Sequence, residues 1–145
     1  MFQIHTIQGF EKEQKDIQSV CSKICTHLQS VTNRVQKGQI NIAGISSEEI
    51  QKLNYTYRKK DYPTDILTFP YFECFTDCKE TQTAGEIVIC RDVIQKQAKE
   101  KSISYQEELT ILLVHGMVHM LGYDHETDEQ YKQMSAIEKK LLEAI

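Results

Sequence analysis

Residues 104–125 read SYQEELTILLVHGMVHMLGYDH, and this stretch anchors the reading of the whole chain. Ser104 followed by Glu107 has the spacing of a capping box, in which side chains and backbone at a helix start satisfy one another. Beyond it, Leu109, Leu112, Leu113, Val114, Met117 and Met120 supply a wide apolar face at helical spacing, so a helix is predicted to run to Leu121. Gly122 suits the left-handed position just past a helix end. Thr127 with Gln130 then opens a last amphipathic helix that carries Met134, Ile137 and Leu141.

The chain before Ser104 alternates between strand and helix signals. Phe2 to Ile7 alternates apolar and polar residues like a half-buried strand, and Glu11 to Gln29 carries Ile17, Val20, Ile24 and Leu28 at helical spacing. Gln39 to Ala43 alternates around Ile40 and Ile42. Gly44 breaks that run, and Ser46 with Glu49 offers a capping box for a helix to about Tyr57. Asp65 to Phe69 is a short apolar run stopped by Pro70; Glu86 to Cys90 follows Gly85 and leads into a polar helix from Asp92 to Glu100. The expected fold is α+β, a small mixed sheet of about four strands covered by about five helices, with one domain over 1–145.

Gln3, His5 and Gln8 interrupt the first apolar stretch, which argues against a signal peptide or membrane span and makes the cytoplasm the expected location. The five cysteines are odd in number and are expected to be reduced. Cys21 with Cys25 and Cys74 with Cys78 repeat an i, i+4 spacing that could suggest four thiolates around a metal, but core packing is the better reading. A formal net charge of −4 excludes a broad electrostatic footprint for nucleic acid. Local basic character is confined to Arg58, Lys59 and Lys60, with Arg34 and Lys37 as an extension.

Chemistry concentrates in His115, His119 and His125. The i, i+4 spacing projects two imidazoles from one helical face, and Gly122 lets the chain reverse so that His125 can return toward them. Three nitrogens with a fourth position left for water describe a catalytic metal site, most often zinc. Unrelated histidines are the poorer explanation, because three of the five fall within this one short, otherwise apolar segment, where an unpaired imidazole is costly to bury. The spacing is similar to the metzincin signature, whose general-base glutamate follows the first histidine. Gly116 stands there instead, which disfavours peptidase chemistry and suggests close backbone packing.

With these histidines, Arg58, Lys60, Asp61, the run PTDILTFP from Pro63 to Pro70, and GEIVI from Gly85 to Ile89, the sequence resembles the YbeY family of bacterial endoribonucleases that act in ribosomal RNA maturation. The motifs span less than half of the chain but keep the family's order. Lys59 stands where many members have glycine, Thr68 where serine is usual and Glu86 where aspartate is usual.

The resemblance implies one zinc ion held by His115, His119 and His125, with Arg58 important for function. It makes RNA, in ribosomal RNA and ribosomal particles, the expected partner, alongside ribosomal or assembly proteins. The expected activity is single-strand-specific, metal-dependent RNA cleavage in ribosomal RNA processing and ribosome quality control, with Arg58 on a phosphate and His115 among the catalytic residues. Asp124 either orients a ligand or caps the following helix. Tyr123 and Glu126 are weaker candidates, and Asp61 and Asp65 are explained by turn formation around Pro63. A ribosome-assembly factor with a mainly structural metal is the alternative, and a metallopeptidase a more distant one.

Overall fold

The computed structural model describes residues 1–9 and 13–145. The elements run β1 (Gln3–Gln8), α1 (Gln14–Val31), β2 (Gln39–Gly44), α2 (Ser47–Arg58), β3 (Ile66–Pro70), a short 3-10 turn (Phe75–Asp77), β4 (Thr83–Ile89), α3 (Arg91–Lys101), α4 (Tyr105–Met120) and α5 (Asp128–Ala144). The start expected for the first helix, at Glu11 and Lys12, lies outside the described residues.

The four strands form one mixed sheet in the order β1-β2-β4-β3, with β1, β2 and β4 parallel and β3 antiparallel to β4. Alternation along the strands builds two cores. Ile40, Ile42, Ile87 and Ile89 face α1, α4 and α5, where they meet Ile17, Ile24, Leu28, Leu113, Met117, Met134 and Leu141. Ala43, Leu67 and Val88 face the other way, against Ile50 and Leu53 of α2.

The third strand ends at Pro70 as expected, with the proline itself its last residue, paired with Gly85. A proline is tolerated because β3 lies at the sheet edge. The fourth strand begins earlier than expected, at Thr83, and keeps Gly85 within it. Met120 explains the glycine, since a Cβ at residue 85 would sit 2.6 Å from its sulfur.

The capping expectations can be read atom by atom. Ser46 with Glu49 and Thr127 with Gln130 form both reciprocal bonds. At Ser104 only half of the expected box forms: its hydroxyl accepts the Glu107 N–H at 3.1 Å without a return bond. That helix is also more than amphipathic. Leu109, Leu112, Leu113, Val114, Gly116, Met117, Val118 and Met120 are all buried, as befits a helix apolar nearly all round and enclosed by its neighbours. The carboxylate of Glu108, fully buried on α4, is paired with Lys101 Nζ at 2.9 Å, which ties α3 to α4.

All five cysteines are free. Cys21, Cys25 and Cys78 belong to the larger core, Cys90 to the smaller one, and Cys74 is exposed, so packing explains the cysteines better than a shared metal. Burial pushes the Cys25 thiol up to about 12 and raises Cys21 as well, as expected of neutral core thiols. Among the described residues no helix is long and apolar enough to cross a membrane.

Lys59 ends α2 in the left-handed conformation, with φ 59° and its N–H directed at Asn54 and Tyr55 carbonyls. That conformation costs an L-residue about 1–2 kcal/mol and costs glycine almost nothing, although glycine loses more backbone entropy on folding. Lys59→Gly is therefore expected to raise stability by about 0.5–1 kcal/mol, seen as a higher urea midpoint with an unchanged slope. A lower midpoint would show that the lysine side chain outweighs the backbone term.

Candidate metal centre

One turn of α4 separates His115 from His119, and the buried faces of this helix fix the direction in which both rings project. The helix ends at Gly122, whose φ of 92° requires glycine and whose N–H donates to the His119 carbonyl at 2.9 Å. The reversed chain brings His125 back. One ring nitrogen from each of the three histidines lies within 4.8 Å of the others, and the ring centroids are 5.3, 5.4 and 5.8 Å apart.

The returning loop is held from a distant part of the chain. Arg34 Nη1 donates to the Leu121 carbonyl at 2.8 Å, and its guanidinium lies 3.7 Å above the Tyr123 ring. The Tyr123 hydroxyl in turn meets Thr32 Oγ1 at 2.5 Å. Arg34 is thus a clamp on the loop that returns His125 rather than an extension of a basic surface, and Tyr123 is a buried support for that loop.

Glu138, which sequence reasoning did not single out, reaches His115 from α5, with Oε1 3.2 Å from Nδ1. When Nδ1 carries the proton and donates to this carboxylate, Nε2 is left as the lone-pair nitrogen for a metal. A signal was present: Glu138 sits four residues after Met134 and three before Leu141, a carboxylate inside the apolar stripe of α5. Burial, reinforced by the neighbouring His115, holds His119 below the ordinary histidine range and favours the unprotonated, metal-competent form.

This donor set fits a divalent ion of the zinc type. Three imidazoles on a tetrahedral zinc stand roughly 3.4 Å apart, nitrogen to nitrogen, given zinc–nitrogen bonds of about 2.1 Å. The ring nitrogens already lie within 4.8 Å of one another, and the Glu138 contact supplies the carboxylate partner that metal-bound histidines usually have.

The histidines open into a cleft of about 530 Å³ that Arg58 also lines. Arg58 Nη2 donates to the Thr68 carbonyl at 3.2 Å, which holds the guanidinium at the edge strand. A second hollow of about 240 Å³, bounded by Pro70 and Tyr123, shares Arg58, Thr68, His119 and Asp124 with the first, so the two adjoin along these residues. Lys60 lines the larger cleft, whereas Lys59 and Lys37 do not.

Asp124 is not a helix cap, since Thr127 caps α5; its carboxylate accepts the His125 N–H at 2.8 Å. Asp65 accepts its neighbour's N–H, Ile66, at 2.7 Å, and Asp61 pairs with Gln51, so both serve the turn. Gly116 is pressed against β3: a Cβ there would lie 2.8 Å from Ile66 Cδ1, so any larger side chain would displace Ile66.

Comparison with known proteins matches residues 3–145 to the family profile described as Endoribonuclease YbeY. The chain belongs to the YbeY family. It is 35% identical over 136 residues to an Endoribonuclease YbeY of Carboxydothermus hydrogenoformans, covering 92% of each chain. It is 41% identical over 104 residues to one from a Janthinobacterium strain, covering 72% of this chain and 66% of that relative. The solution structure of a Thermotoga maritima protein superposes with a TM-score of 0.61 at 26% identity, over 99% of this chain and 90% of the other.

The departures from the YbeY pattern have structural explanations. Lys59 takes the left-handed conformation that glycine would adopt freely. Thr68 is buried on β3, with its Oγ1 toward Gly116 of α4. Glu86 faces the opposite side of the sheet, beside Tyr71, whose phenol it pushes up together with burial.

Proposed function

We propose that residues 1–145 form one domain acting as a zinc-dependent, single-strand-specific endoribonuclease in ribosomal RNA processing and quality control, in the cytoplasm, with ribosomal RNA and ribosomal particles as partners. The observation that carries this reading is the convergence of three imidazoles and the Arg58 guanidinium on one open cleft, which a second hollow adjoins along Arg58 and His119. A chain passing through such a depression need not present an end, as internal cleavage requires. Family membership supports RNA as the substrate class.

His115, His119 and His125 would hold the metal, which when bound supplies Lewis acidity toward a phosphate oxygen and lowers the pKa of water. The chain's own residues place the substrate. Arg58 is anchored to Thr68 through one nitrogen, so its remaining donors can engage a phosphate in the planar, bidentate manner that lysine cannot reproduce. Glu138 fixes the His115 ring, and Lys60 adds attraction for the backbone along the cleft. Peptidase chemistry is disfavoured, since the helix position that would carry the base is a glycine packed against Ile66.

The test pairs elemental analysis with cleavage of a ribosomal RNA fragment, before and after chelation. About one metal per chain, with cleavage lost on chelation and restored by zinc, is the expected result. Bound metal without metal-dependent cleavage would instead favour an assembly factor with a structural metal. Arg58→Lys keeps the charge and loses the fork. A lost hydrogen bond to a charged group is worth about 1.5–3 kcal/mol, so cleavage is expected to fall roughly ten- to a hundredfold. Unchanged cleavage would remove Arg58 from the site.

A further inference from the structure

The connection between α2 and β3 is held in place at successive points. Lys59 closes the helix in the left-handed conformation, and the Lys60 N–H donates to the Asn54 carbonyl at 3.4 Å. Gln51 Nε2 reaches the Asp61 carboxylate at 3.1 Å. Asn54, only 2% exposed, spends its buried amide on the Tyr62 carbonyl at 2.9 Å. Pro63 then fixes the next backbone angle.

These contacts secure the backbone on either side of Tyr62 and leave the residue 51% exposed, on the wall of the same cleft as His115, His119, His125 and Arg58. Among the described residues its hydroxyl has no hydrogen-bond partner. Lys60, two residues earlier, lines the cleft beside it. A half-exposed aromatic side chain on a secured backbone, next to basic side chains, is what proteins offer to unpaired bases: the cations track the backbone and the ring stacks a base of any identity.

We propose that Tyr62 is a stacking shelf for a nucleobase flanking the cleaved bond, in the larger cleft that the histidines and Arg58 line. This rests on the RNA-cleaving reading and adds a binding subsite to it. Because every base has a π-face, the shelf contributes affinity without reading sequence. It also selects for single strands, since a paired base has its face covered by its neighbours.

The test uses the metal-loaded protein and short single-stranded oligoribonucleotides carrying 2-aminopurine at successive positions, mixed by stopped flow so that binding is read before turnover. Wild type is expected to quench the probe at one flanking position. Tyr62→Ala is expected to lose that quench, weaken binding roughly 5- to 100-fold and raise KM more than it lowers kcat. Tyr62→Phe and Tyr62→Trp are expected to restore both, whereas Lys60→Ala should retain the quench and reduce the salt dependence of binding.

Full quench and wild-type KM in Tyr62→Ala, with RNA still bound and cleaved, would overturn the stacking shelf alone. A wild-type protein that neither bound nor cleaved RNA would overturn the functional reading and the shelf with it. Loss in all three variants at this position, phenylalanine and tryptophan included, would also overturn it, by showing that the hydroxyl rather than the ring is recognised.

Discussion

His119→Ala is expected to empty the metal centre while leaving the fold intact. The imidazole is the middle ligand of the group, and without it two ring nitrogens remain, one on α4 and one on the returning loop. His119 does not belong to the hydrophobic cores, which are built from Leu113, Met117 and their neighbours, so the helix is expected to keep its packing. Elemental analysis should fall from about one metal per chain to near zero. A bound metal is worth several kcal/mol of charge stabilisation in phosphoryl transfer, so RNA cleavage should fall by about 10³-fold or more. Far-ultraviolet circular dichroism should stay at wild-type intensity. A variant that kept its metal and its activity would remove the three-histidine site from the mechanism.

Glu138→Ala is expected to have the next largest effect, through the ligand rather than through the substrate. Loss of the carboxylate frees the His115 ring to rotate and removes the acceptor that keeps the proton on Nδ1. Partners of this kind typically contribute 10–100-fold to metal affinity, so competition against a chromogenic chelator should show a weakening of about that size. Glu138→Gln, whose amide oxygen can still accept from Nδ1, should lie between wild type and alanine. Since Glu138 is in contact with solvent as well as with His115, the melting temperature of the metal-free protein should change little. Equal metal affinity in all three proteins would leave the contact without a role.

Much of the scaffold was legible because its signals are local. The alternation at Ile40 and Ile42, the reciprocal pairs Ser46 with Glu49 and Thr127 with Gln130, and the turn at Gly122 each act within a few residues, where periodicity and stereochemistry decide. The i, i+4 histidines were legible for the same reason. What the sequence did not disclose depends on distant packing. Nothing within Ile66–Pro70 says that β3 ends up at the sheet edge, where Pro70 can pair as the last residue of the strand. Arg34 lies 87 residues from Leu121, so that contact leaves no local pattern; for Glu138, 23 residues from His115, a carboxylate in the apolar stripe of α5 marks the residue but not its partner. Arg34 read as one more surface cation because a stacked guanidinium and an exposed one are identical in sequence.

The grip of Arg34 and Thr32 on the loop that ends in His125 couples two events that look separate. Whatever free energy the connection after α1 lends to the placement of His125, an ion seated there must return to that connection in equal measure, since linkage between two equilibria is reciprocal. Stripping the metal should therefore loosen residues 32–34, and the amides around them should exchange faster although no ligand lies among them. The N-terminal part of the chain would in that way register whether the centre is filled, so that occupancy is felt as rigidity on the side of the molecule where the chain begins.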